Sequence, residues 1–321
     1  MLRLVYLFPG QGSQKIGMGH DLYNLRSRAK DVFEKADSIL KFSLTNLMFA
    51  GPKEALQQTC YAQPAILTHS IAVWHCLLEE GAPIADFFAG HSLGEYSALV
   101  AAGVLSFEDA LQAVYFRGQV MQEAVPLGSG AMTVVLGFDE EKIHIICQAI
   151  SKKNPLYEVS VANLNGPGQT VISGTVDGVA LAHIHLKDAG AKRLLALPVS
   201  APFHCGLMKP AAEKLAQYLS TIKFRPPQKP LISNVTALPV TDPLQIRDLL
   251  ISQVTMPVRF TEMVEFLRRK EINTFIEVGP GKALTGIVKR IIDRVEIHSV
   301  EDCVSLNNFS SSMKAKREMD E

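Results

Sequence analysis

Cysteine is scarce and badly placed for the usual cysteine chemistry: Cys60, Cys76, Cys147, Cys205 and Cys303 are odd in number, and no two form a Cys-x-x-Cys pair. That argues against a disulfide framework and against a thiolate metal site, and it suits a reducing compartment. Net charge is also missing, because 32 Lys and Arg offset 32 Asp and Glu. No global field then draws the chain to nucleic acid or an anionic membrane, although local patches remain available to an acidic partner. No apolar run reaches membrane-spanning length, and Met1 passes almost directly into a strand-like run at residues 2–8, which leaves no space for a signal or transit peptide. The expectation is a soluble, cytoplasmic protein. Nucleotide-binding glycine patterns are absent as well. Neither Gly-x-Gly-x-x-Gly nor Gly-x-x-x-x-Gly-Lys-Ser/Thr can be completed around residues 9–14 or at Gly279-Pro280-Gly281-Lys282.

What is present is enough apolar content for a large core: 47% of 321 residues, a length that suits one large domain with an insertion or two modest domains. The most informative stretch is Phe88-Ala89-Gly90-His91-Ser92-Leu93-Gly94-Glu95-Tyr96. Gly-x-Ser-x-Gly stands here between a short apolar run and a small, apolar helix-like segment, which is the strand–turn–helix setting of a nucleophile elbow. Lifting a serine hydroxyl out of such a turn strains its backbone, and Gly90 and Gly94 remove the Cβ atoms that would collide. The Leu93 amide, at a helix N-terminus, is placed to meet negative charge developing beside Ser92.

Along the chain, Ala29, Val32, Phe33, Ala36, Ile39 and Leu40 share one helical face, and a second helix is expected from Pro64 to near Gly81. Ser106 to Asp109 reads as a capping box opening a helix toward Pro126, with Leu105 as a hydrophobic staple. Residues 131–199 then alternate strand (132–136), helix (139–150), strand (159–164), strand (170–173), helix (176–189), strand (192–199), the ferredoxin-like order. The fold expected is α/β: a large hydrolase-like parallel-sheet domain, residues 1–127 and 199–304, with an inserted ferredoxin-like α+β subdomain at 128–198 and a ligand cleft between them. Further elements are a helix at 208–222, a strand at 231–235, helices around Leu249 and Met263, a strand at 274–278 and a helix at 284–292. Residues 305–321, serine-rich and then charged, read as a disordered polar tail.

Two residues stand out beyond the elbow. Arg117 occupies the centre of an otherwise apolar stripe made by Ala110, Ala113, Val114 and Met121, and a guanidinium buried there needs an anion. Spacing leaves open whether that anion is an internal carboxylate or one brought by a substrate. His204 follows Ser92 in a loop, while most acids between the two sit at helix starts or on helix surfaces. The spacing therefore allows a Ser–His pair oriented by a backbone carbonyl or amide, and leaves open whether an acid completes a triad.

Taken together, residues 8–14 (Phe-Pro-Gly-Gln-Gly-Ser-Gln), Gln63-Pro64-Ala65, Gly90 to Tyr96, Arg117-Gly118, Asn163 to Gly168, His204 and Glu277 to Lys282 resemble the malonyl-CoA:acyl carrier protein transacylases of bacterial type II fatty-acid synthesis. The likeness runs from residue 2 to about residue 300. It implies Ser92 as the acylated nucleophile, His204 as general base and acid, and the amides of Gln11 and Leu93 as the oxyanion hole. It further implies that Arg117 binds the malonyl carboxylate and that the Gln253 backbone carbonyl orients His204. Phe203, Asn165 and Asn234 become candidate site walls, with Phe203 placed to crowd an α-methyl group. The resemblance implies malonyl-CoA and acyl carrier protein as partners, no cofactor, no metal, no nucleic acid and no membrane; a monomer is expected. Exposed basic residues such as Lys187, Lys192, Arg193, Lys289 and Arg290 are candidates for carrier or CoA phosphate contacts. A serine thioesterase or hydrolase, a polyketide-pathway acyltransferase and a silent carrier-docking module are the competing readings.

Overall fold

The computed structural model describes residues 2–199 and 201–320. Its strands are β1 (Leu4–Phe8), β2 (Phe87–Gly90), β3 (Gly130–Leu136), β4 (Val159–Leu164), β5 (Gln169–Thr175), β6 (Arg193–Ala196), β7 (Leu231–Ile232), β8 (Pro239–Val240), β9 (Thr274–Val278) and β10 (Glu296–Val300). Six of them form one sheet in the order β10-β9-β1-β2-β7-β8, parallel throughout except for β8 at its edge. β1 lies at its centre and is buried along its whole length, which is why it reads as a continuous apolar run. Alternation divides it between two cores: Leu4, Tyr6 and Phe8 face one, Val5 and Leu7 the other.

The register pairs Phe8 with Gly90, so the loops that follow β1 and β2 leave the sheet side by side at its carboxyl edge. That edge is where parallel sheets gather ligands. Two helices bring the remaining site residues to it. Thr59–Glu79 is buried for most of its length and packs against Phe107–Glu123; a Cβ on Gly118 would come within 2.6 Å of Cys60 Cα, so glycine permits that approach. The first of these helices begins five residues before the proline expected to open it. Pro64 is accommodated inside because it forfeits only one main-chain hydrogen bond near the helix start. Ser106 caps the second helix as expected, its Oγ accepting the Asp109 amide at 3.0 Å.

The other four strands form an antiparallel sheet in the order β4-β5-β3-β6, covered by helices Glu140–Lys153 and Val176–Asp188 over a core of Val135, Ile143, Cys147, Val161, Ile172 and Leu186. Its β4 edge is stitched to the chain after helix Pro243–Gln253. The Leu164 amide donates to the Val258 carbonyl, and the Val258 amide to the Ala162 carbonyl, each at 2.9 Å.

Several expectations are corrected. β7 stops at Ile232, not 235, because Asn234 turns away to serve the elbow. β8 and β10 were not foreseen; β10 is an edge strand whose Glu296 and His298 break any apolar run. The supposed disordered tail is a helix, Cys303–Asp320, although Glu321 lies outside the described residues. Leu306, Phe309 and Met313 fall on one helical face and are buried in the core, and that face outweighs the serine-rich composition. No described helix is long and apolar enough to cross a membrane.

Candidate active site

β2 ends at Gly90, and Ser92 adopts a left-handed backbone (φ 52°) before helix Gly94–Ala101 begins. The turn closes only because its glycines lack side chains: a Cβ on Gly90 would sit 2.0 Å from the Gly94 carbonyl carbon, and one on Gly94 would sit 2.0 Å from the Phe8 carbonyl oxygen. A left-handed residue other than glycine costs roughly 1–2 kcal/mol and persists where its surroundings hold it. Here Asn234 Oδ1 accepts the Ser92 amide at 2.6 Å, and Gln253 Nε2 donates to the Ser92 carbonyl at 3.0 Å. Asn234 Nδ2 also donates to the Gly90 carbonyl at 2.7 Å, so one buried side chain spans the turn.

The Ser92 hydroxyl lies 2.8 Å from His204 Nε2, and His204 Nδ1 lies 2.8 Å from the Gln253 backbone carbonyl. A carbonyl can only accept, so Nδ1 carries the proton and Nε2 is free to accept the one on Ser92. His204 is itself left-handed (φ 59°) and buried. Burial, with the Arg117 charge second, pushes its pKa down to about 3, so the resting imidazole is neutral.

Arg117 is 1% exposed and meets no carboxylate within ion-pair distance among the described residues. One terminal nitrogen donates to Gln63 Oε1 at 2.8 Å; the other donates to Gln253 Oε1 at 3.0 Å and to Ser92 Oγ at 3.2 Å. The guanidinium also lies over the Tyr96 ring, 5.7 Å from its centroid. Beyond Gln253 stands Glu95, 1% exposed, whose Oε2 accepts Gln253 Nε2 at 2.7 Å and the Asn234 amide at 3.3 Å. Burial raises the Glu95 pKa to about 7 against the opposing effect of those donors.

These groups open into a cleft of about 300 Å³ lined by Gln11, Gln63, His91, Ser92, Arg117 and His204 on one side and by Met132, Leu197, Pro198, Val199 and Phe203 on the other. Gln11 sits in the loop after β1, pressed against the elbow: a Cβ on Gly10 would be 2.4 Å from the His91 carbonyl oxygen. Leu93 directly precedes helix Gly94–Ala101, with its side chain buried. No main-chain hydrogen bond occupies the Gln11 or Leu93 amide among the described residues.

The structure thus brings together Ser92, His204, Gln11, Leu93, Arg117, Gln253 and Phe203. Asn165 and Asn234 do not line the cleft. Asn165 Oδ1 lies 2.8 Å from His91 Nε2, bracing the elbow from the small sheet, and Asn163 takes the lining position instead. Of the basic surface candidates, Lys187, Lys192, Arg193, Lys289 and Arg290 are exposed and none lines the cleft. Gln63 and Glu95 were given no role on sequence grounds. Each is a long polar residue on a helix whose buried positions are mostly apolar or small, which is the signal that could have found it. No group of three or more His, Cys, Asp or Glu among the described residues could hold a metal.

Comparison with known proteins follows the same lines. An acyl transferase domain family matches residues 5–315. The malonyl CoA-acyl carrier protein transacylase of Bacillus subtilis is 47% identical over 318 residues, 99% of each chain. Its counterpart from Salmonella typhimurium is 43% identical, over 96% of this chain and 98% of that one. Among solved structures, an acyl carrier protein S-malonyltransferase from Vibrio cholerae superposes with a TM-score of 0.92 at 46% identity, covering 96% of this chain and 99% of that one. A malonyl-transacylase in complex with its type II polyketide acyl-carrier protein gives 0.93 at 43% identity, covering 97% and 99%.

Proposed function

Since the chain belongs to the malonyl-CoA:acyl carrier protein transacylases, an acyl transferase family, we propose how its own residues move a malonyl group from malonyl-CoA to the thiol of acyl carrier protein for fatty-acid synthesis. The observation that carries this reading is the position of Ser92 Oγ, within 2.8 Å of a neutral imidazole nitrogen and 3.2 Å of a buried guanidinium. His204 takes the hydroxyl proton as Ser92 attacks the thioester, and the amides of Gln11 and Leu93 receive the oxyanion. His204 then protonates the departing CoA sulfur, leaving malonyl-Ser92. The carrier thiol reverses these steps: its proton passes to His204, its sulfur attacks the ester, and Ser92 recovers its hydrogen.

Arg117 is the group that receives the malonyl carboxylate. Its fork rests on neutral oxygens of Gln63, Gln253 and Ser92, so no direct ion pair has to be broken when a carboxylate arrives. The Gln253 carbonyl fills the place an acid holds in a triad, since orientation and tautomer are what the third member mainly supplies. Residues 128–198 act as an inserted unit, a reading supported by their separate sheet and core. A monomer is part of this reading, and the five free cysteines suit the cytoplasm.

The test is intact-mass analysis after malonyl-CoA. A malonyl increment on wild type, absent from Ser92→Ala and discharged onto carrier protein, is the expected result. Free malonate released equally fast with or without carrier would make the protein a hydrolase. Running fatty-acid and polyketide carriers side by side settles carrier preference, to which the match with a polyketide complex gives point.

A further inference from the structure

Arg117 and Glu95 are the two groups of the buried site that carry charge near neutral pH, and one amide separates them. Gln253 Oε1 accepts from Arg117 at 3.0 Å while Gln253 Nε2 donates to Glu95 Oε2 at 2.7 Å. Every other titratable group facing Glu95 or Arg117 is uncharged near neutral pH. Tyr96, on Glu95's own helix, is pushed up to about 12 by burial. His204 is held near 3, and His91, beside the nucleophile, is lowered by burial. The segments contributing Asn234 and Gln253 bring amides only.

A cation and an anion buried this close stabilise each other, and an unbalanced charge in such a place is costly. An anion arriving at Arg117 from the cleft side changes that balance: two carboxylates then share one guanidinium. Like charges in a common site disfavour joint ionisation, so the less solvated one takes a proton.

We propose that Glu95 is the resident counter-ion of Arg117, linked to it through the Gln253 amide, and that malonyl loading transfers this role to the substrate carboxylate while Glu95 takes one proton from solvent. Glu95 touches neither substrate nor reacting atoms; it is a positioning residue. In the resting enzyme its carboxylate orients the Gln253 amide with the oxygen toward Arg117 and balances the guanidinium without occupying it. In the loaded enzyme the protonated carboxyl leaves Arg117 to the malonyl group. Unloading to a thiol returns the proton. The ester exchange itself, Ser–OH plus thioester giving Ser ester plus thiol, consumes no proton, so any malonyl-specific uptake has to come from such a group. The pKa of about 7 in the resting site places the exchange in an accessible pH range, with uptake growing above that value until the loaded form also ionises.

The inference rests on Arg117 as the malonyl site, and the experiment separates the two. Proton uptake is followed with an indicator dye in weakly buffered solution from about pH 6 to 9, and acyl groups attached are counted by intact mass. The ionisation of released CoA is subtracted using a separate titration of free CoA under the same conditions. Wild type is expected to take up a substantial fraction of one proton per malonyl group at about pH 8 and none per acetyl group. Glu95→Gln, which keeps an oxygen for Gln253 and Asn234, is expected to load malonyl with no uptake and with a loading equilibrium whose pH dependence is that of the released CoA thiol alone. Wild type that loads malonyl fully without uptake at any pH would overturn the proposal, and so would equal uptake with acetyl-CoA or in Glu95→Gln. Should Glu95→Gln not fold, the two wild-type arms still decide. Arg117→Ala reports on the underlying reading: an unchanged malonyl-to-acetyl ratio there removes Arg117 from substrate recognition, whereas a lost ratio with no wild-type uptake removes only the counter-ion.

Discussion

The side of the cleft built on the six-stranded sheet is polar and tied down: Ser92, His204, Arg117, Gln253 and Glu95 hold one another through buried hydrogen bonds, and two of them keep left-handed backbones. The side facing it, contributed by Met132 of β3 and by Leu197, Pro198, Val199 and Phe203 after β6, is apolar apart from Asn163 of β4. The difference is one of tolerance. Polar networks in a low-dielectric interior fail when one partner is removed, while apolar walls of about the right volume adapt. Side-chain hydrogen bonding is thus concentrated where the structure cannot give, and apolar packing where it can.

The largest break in this asymmetry is expected at His204. His204→Asn keeps a residue that tolerates the left-handed backbone but removes the base, and kcat/KM for malonyl transfer should fall about 10²–10⁴-fold in a chain that still folds, as circular dichroism would show. A smaller loss, measured by stopped-flow acylation, would move the base elsewhere. Next comes the turn itself. Gly94→Ala puts a methyl 2.0 Å from the Phe8 carbonyl oxygen, a backbone atom that cannot step aside, and should cost on the order of 3 kcal/mol in denaturant unfolding. Unchanged stability would show that the elbow has slack.

Acid should weaken the fold through two buried histidines, His204 in the site and His69 on helix Thr59–Glu79 away from it. His204 and His69 are held neutral by burial, at about 3 and about 4, whereas unfolded histidine titrates near 6.5. Below about pH 6.5 the unfolded chain therefore binds protons that the folded chain refuses. Their contribution is complete above that pH and is lost as pH falls toward 4 and then 3, by about 1.4 kcal/mol per pH unit for each histidine. Glu95, raised to about 7, works in the opposite direction: its protonated form favours folding below about 4.5, and that benefit is lost as pH rises through 7. Two histidines outweigh one carboxylate, so Tm should drop between about pH 6 and 4. A flat profile over that range would mean that water reaches these rings.

How much of this was legible in the sequence follows the same division. Gly90, Ser92 and Gly94 could be read because a tight turn demands those residue types at fixed spacing, and the β-α-β-β-α-β order could be read because alternation and turn residues are local signals. Arg117 announced itself as a charge on an apolar face, but its partners could not be named, since Gln63 and Gln253 are neutral amides from other parts of the chain. Glu95 passed for an ordinary acid in the first turn of a helix, and only the packing of Asn234 and Gln253 over it shows that it is buried. The C-terminal helix was missed because composition masked three well-spaced apolar residues, Leu306, Phe309 and Met313.

The smallest effect is expected on the apolar wall, and it sharpens the comparison most. Phe203 lies beside His204 and lines the cleft, and the reading to be tested is that its ring crowds an α-methyl group on the acyl chain. Selection against one methyl by a hydrophobic wall is worth only about 1–3 kcal/mol. Phe203→Ala should therefore raise kcat/KM for methylmalonyl-CoA relative to malonyl-CoA by about tenfold, while the rate with malonyl-CoA changes little because Ser92, His204 and Arg117 stay in register. Competition between the two thioesters, read as the mass added to Ser92, measures the ratio directly. An unchanged ratio with a lowered Tm would leave Phe203 as packing alone. A collapse of malonyl transfer itself would instead show that the apolar side helps hold the histidine, and that the two walls are less independent than their chemistry suggests.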